Sequence, residues 1–247
     1  MAASALAAPT VRLRAALTPE TPRHSTTIRL SVRIAPAGEL VPPPLIEGEL
    51  RYPAGLDIQL SGLGIEACKV IALELFGPEG CPRDSVVGYG SAIASLPIKR
   101  EVFSEAARIA VVRTDEQEGR QALLLYVYGE TGLSAKLVLP AELLPAAKPY
   151  GGLLDIHVPL VPTFPEGPDV SVSELRLVLG PSNLVYYERV HNRVVRYKPA
   201  GIPLPGHCPR KGFPFAVELS FLDASHVSAR ATVPCPGKAG SGGRRAA

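Results

Sequence analysis

Four cysteines, Cys68, Cys81, Cys208 and Cys235, are the residues whose chemistry the sequence makes plainest, and they fall into two well-separated local pairs. An even number allows three disulfide pairings. Joining neighbours, Cys68 to Cys81 and Cys208 to Cys235, closes the shortest loops, and the chain-entropy account gives each roughly 3–4 kcal/mol. No C-x-x-C occurs, so a zinc ribbon or thioredoxin-like centre lacks its spacing. His207 stands beside Cys208, but proline follows Cys81, Cys208 and Cys235, which fixes the backbone and suits stapled loops. The expectation is structural disulfides, with neither metal nor cofactor.

Hydrolysis would require serine, histidine and a carboxylate. No G-x-S-x-G elbow is present, and Gly88-Tyr89-Gly90-Ser91-Ala92 approaches it only in composition. Asp155 and His157 share a parity on an alternating run, and His157 could act as an oriented base. A small hydrolase with a site near this pair is therefore the alternative reading. Their simpler account is the polar face of a half-solvated strand. The acidic stretch Asp115, Glu116 and Glu118 lacks the calcium-loop pattern and reads as a charged turn. Gly62-x-Gly64 and Gly88-x-Gly90 lack the strand–helix setting of a nucleotide fold and read as turns or close strand approaches.

The candidate binding residues lie further on. Tyr186 to Val190 and Arg193 to Tyr197 flank His191-Asn192. A tight turn there sets Tyr186 opposite Tyr197 and Tyr187 opposite Arg196, both favourable cross-strand pairs. From Arg189 to Val217 there is no acidic residue, against Arg189, Arg193, Arg196, Lys198, Arg210 and Lys211. Tyr186, Tyr187, Arg189, Arg193, Arg196, Tyr197 and Lys198 would form a basic, aromatic ribbon able to meet an anionic cell-envelope polymer or protein face. The plainer account is an edge hairpin whose cations discourage strand addition.

The elements that must position these groups are mostly strands. Thr27 to Ile34 alternates without a break, and the pattern recurs at Leu56–Leu60, Leu154–Val158 and Ser173–Leu179. Phe213, Phe215, Val217, Leu219 and Phe221 form an every-other-residue apolar set. After the turn Asp223-Ala224-Ser225, Val227 to Val233 repeats it, which predicts a hairpin. Arg108–Val112 and Leu123–Tyr128 flank the acidic tip. Only Ile65 to Phe76 has helical character, with Ile65, Cys68, Ala72, Leu73 and Phe76 near one face.

Composition agrees. In 247 residues, 26 prolines and 23 glycines supply breakers between runs, and 46% hydrophobic residues can fill a core. A net charge of +3 is too mild for a nucleic-acid binder, and no apolar run reaches the roughly 20 residues of a membrane span. The absence of tryptophan disfavours aromatic carbohydrate platforms. The prediction is an all-β, antiparallel, sandwich-like domain over 26–236 with one short helix near 65–76. A flexible segment over 1–25 and a disordered tail over 237–247 would flank it. Two smaller domains divided near 129–136 are the alternative.

Tyr52-Pro53-Ala54-Gly55-Leu56, Cys68, Cys81-Pro82-Arg83-Asp84-Ser85-Val86-Val87-Gly88, Cys208 to Phe215 and Val233-Pro234-Cys235-Pro236 together resemble a group of exported, β-rich actinobacterial proteins. The likeness runs from about Arg51 to Pro236. It implies export and disulfides, and it carries over no catalytic or binding residue, since no activity attaches to the group. The triplets Ala3-Ser4-Ala5 and Ala5-Leu6-Ala7 are of the kind found at signal-peptidase sites, although no charged and apolar leader precedes them. An extracellular or cell-surface location follows as an expectation. So does the function, a non-catalytic module binding another macromolecule or envelope component, or a purely structural envelope protein.

Overall fold

The computed structural model describes residues 8–56, 66–98, 101–116, 120, 122–129, 135–163, 167–180, 186–197 and 201–236. Its strands are β1 (Thr10–Thr18), β2 (Ser25–Ala35), β3 (Leu45–Pro53), β4 (Val86–Ile98), β5 (Glu101–Arg113), β6 (Ala122–Gly129) and β7 (Lys136–Pro145). They continue with β8 (Tyr150–His157), β9 (Ser171–Leu179), β10 (Tyr186–Val190), β11 (Arg193–Tyr197), β12 (Ile202–Pro203), β13 (Phe213–Phe221) and β14 (His226–Val233). Among the described residues one α-helix, α1, spans Val70–Phe76.

Every strand pairing among the described residues is antiparallel, and one sheet runs β1-β2-β9-β4-β5-β6-β7-β8-β3-β13-β14, with β12 added beside β2. The sheet curls until β1 and β14 lie side by side, nearly closing a barrel, although no hydrogen-bonded register joins them. The all-β antiparallel expectation holds.

Alternation builds the interior. On β2, Ile28, Leu30, Val32 and Ile34 are buried while Arg29 and Arg33 are exposed. Leu177 and Leu179 on β9, Ile109 and Val111 on β5, Leu123 and Leu125 on β6, and Val217 and Leu219 on β13 join the same core. A one-residue slip would turn any of these sets outward, which pins the register. One end of the barrel is plugged by Phe213, Phe215 and Ile202, all almost fully buried.

Gly88 and Gly90 lie where β4 crosses β9, opposite Leu179 and Leu177. A Cβ on Gly88 would sit 2.5 Å from the Val178 carbonyl oxygen, and one on Gly90 would overlap the Arg176 carbonyl oxygen. The Gly-x-Gly doublet is therefore a close backbone approach that lets the wall bend.

Both disulfides form between neighbours, Cys68–Cys81 and Cys208–Cys235, with Cα separations of 5.0 and 5.9 Å, within the usual range. The first pins α1 to the outside of the wall. There Leu73 and both cysteines pack on Val112, Leu124 and Tyr126, the outward residues of β5 and β6. Thr114 Oγ1 donates to the Cys68 carbonyl at 2.9 Å, fastening the same loop.

The structure departs from these expectations in two places. Residues 10–18, expected within a flexible segment over 1–25, form β1 and pair along their length with β2. Alanine had obscured the alternation Val11, Leu13, Ala15, Leu17, whose two leucines are buried. The helix begins at Val70, so Cys68 precedes it, and Phe76 is exposed; within the helix Leu73 is the buried residue. The sheet continues from β6 directly to β7 across the proposed split, with Tyr128 opposite Lys136. The strand expected at Leu56–Leu60 falls almost wholly outside the described residues, as does the tail over 237–247.

Candidate functional site

Three places on this scaffold could act on another molecule. The first is the outer face of β7, β8, β3, β13 and β14. Period-two geometry sends Glu142, Asp155, Glu49 and Glu218 outward, and the registers set them in one row across four strands. A second row holds His157, Glu47, Ser220 and His226 as successive cross-strand partners. Arg51 ties the first row together. It is bonded to Glu218 and, at 2.6 Å, to Glu49, contacts that hold its guanidinium above its ordinary value.

Asp155 and His157 do share this outer face. His157 is 72% exposed, with Nδ1 3.9 Å from Glu47 Oε1. The imidazole next to a serine is His226: Ser220 Oγ lies 3.0 Å from His226 Nδ1 and 3.2 Å from Glu47 Oε2. A hydroxyl has one proton to donate. The order here is carboxylate–serine–histidine, whereas nucleophilic catalysis needs the histidine between the other two. Glu47, Asp155 and His157 present ligand atoms within 4.8 Å of one another, a carboxylate–imidazole set chemically suited to a divalent cation.

Asp155 Oδ1 is buried without a hydrogen-bond partner. Burial pushes this carboxyl above its ordinary value; Glu47 and Glu142 push the same way and His157 opposes them. The folded protein therefore holds this proton more tightly than the unfolded chain does. The resulting stabilisation is present below the ordinary aspartate value of about 3.9 and is lost as pH rises through the folded value. Asp155→Asn removes the charge that burial disfavours and is expected to raise the urea midpoint at pH 7. Urea unfolding at pH 7 and pH 4 should show that gain shrinking at the lower pH. A gain that grows on acidification would contradict the assignment.

The second place is the ribbon of β10 and β11, a two-stranded sheet separate from the barrel wall. Its register sets Tyr186 opposite Tyr197, Tyr187 opposite Arg196, and Arg189 opposite Val194, as the sequence predicted. His191 and Asn192 carry φ of 46° and 62°, the paired left-handed conformation of a type I′ turn. Tyr187 is 62% and Val194 64% exposed, and Arg193, Val195 and Arg196 are exposed as well. Successive strand residues point to opposite faces, so both faces of β11 meet solvent. Lys198 lies outside the described residues.

The third place is the lumen, which the sequence did not reveal. A cavity of about 140 Å³ is lined by residues such as Val32, Ala92, Leu125, Leu139, Leu175 and Leu219, and its wall presents only apolar atoms. Left empty, such a void costs about 3 kcal/mol.

No protein-family model, no curated protein and no solved structure matches this chain.

Proposed function

We propose that this protein is a non-catalytic, exported binding module that attaches to an anionic macromolecule of the cell envelope through the β10–β11 ribbon. The observation that carries this reading is the solvent exposure of both faces of β11. A two-stranded hairpin is marginally stable by itself, so a partner covering the exposed faces of β11 would add burial. Tyr187, Val194 and Val195 offer apolar contact, and Arg193 and Arg196 select for negative charge. Two disulfides suit the oxidising setting that export would provide.

Arg193→Glu combined with Arg196→Glu tests this. Both residues are exposed, so the thermal midpoint of the barrel should not move. Retention of wild-type protein on beads coated with a purified anionic wall polymer should fall with added salt, and the double variant should bind at least about tenfold more weakly. Equal retention of variant and wild type would remove the proposal.

A further inference from the structure

We infer that the barrel lumen is a second binding site, for the alkyl tail of an amphiphile whose polar head stays in water at the open end. Eight strands enclose an interior that side chains can just fill. Eleven strands follow one another around this wall, and the extra circumference leaves the observed void. An apolar cavity of about this size stays dry and takes up apolar molecules.

The void is open on one side. Val127, Leu137, Ile156, Val158 and Val172 line it, yet they are only half-buried. They sit where β6, β8 and the starts of β7 and β9 reach the end opposite the Phe213 plug. The connections at this end expose large apolar side chains. Leu40 lies between β2 and β3, Leu160 between β8 and β9, Leu222 between β13 and β14, and Phe103 near the start of β5. A wall of apolar atoms offers a head group no hydrogen bond, so only a tail gains by entering, and the apolar rim extends the contact along the chain.

The experiment uses the full, disulfide-bonded chain and calorimetric titration with decanol and decanoate below their aggregation limits. Both should bind saturably and with similar affinity, because the head is not recognised. Shortening the tail should weaken binding about fourfold per methylene. Ala92→Phe, which fills the void, should weaken decanol binding at least tenfold without lowering the thermal midpoint. Val127→Phe, nearer the opening, should also weaken it if the first variant does not fold. The Arg193→Glu, Arg196→Glu protein should bind decanol as wild type does, which separates this site from the ribbon. Absence of saturable binding to wild type, indifference to tail length, or a filled variant that binds like wild type would each overturn the inference.

Discussion

Gly90→Ala is expected to destabilise the barrel by about 3 kcal/mol or more, the upper range for forcing an atom into filled space. The new Cβ would overlap the Arg176 carbonyl oxygen and lie 2.8 Å from Leu177 Cδ2. The first of these is backbone within a hydrogen-bonded ladder and cannot swing aside. Relief requires β4 and β9 to part, and β9 is what joins β4 to β2. Gly48→Ala provides the contrast. Its Cβ would meet only Leu219 Cδ2, at an ordinary 3.5 Å, and its effect should stay within about 1 kcal/mol. Guanidinium unfolding of the two variants decides the matter. Equal midpoints would show that the β4–β9 contact yields freely.

Loss of both disulfides should cost about 6 kcal/mol, roughly 3 for each closed loop. The bridged residues are 13 and 27 positions apart. Total stabilities of domains are commonly about 5–15 kcal/mol, so the reduced chain would retain little. Each bridge also holds something the sheet alone does not. Cys68–Cys81 keeps α1 on Val112, Leu124 and Tyr126, and Cys208–Cys235 ties the end of β14 to the segment leading into β13. Cys68→Ser with Cys81→Ser, and Cys208→Ser with Cys235→Ser, should each lower the urea midpoint. The four-fold variant should approach the sum, because the bridges lie in separate parts of the structure. A reduced protein that unfolds at the oxidised midpoint would refute the dependence.

Much of this architecture was legible because a half-buried strand writes its burial into alternate residues. Thr27–Ile34, Leu154–Val158, Ser173–Leu179 and the Phe213 hairpin all carry that mark, and the turn at His191-Asn192 fixed the ribbon register. Strand β1 was missed because alanine at 15 and 16 blurs the contrast between faces. The outer-face cluster was half visible. Asp155 and His157 were placed on one polar face, but Glu47, Ser220 and His226 join them only through the order β8-β3-β13-β14. That order depends on which strands neighbour one another in space, which no local pattern encodes. The lumen was hidden for a related reason: a void depends on how many strands share the wall, and the residues that line it look like any core.

The seam between β1 and β14 has a consequence for how the protein comes into being. Synthesis makes β1 early and β14 late, yet these are the strands that must meet to complete the wall. Strand β3 likewise waits for β8 and β13 before either of its edges is covered. The nascent polypeptide must hold exposed strand edges through most of its elongation. Such long-range pairing makes folding slow and leaves these edges open to pairing with other chains until the last ribbon arrives.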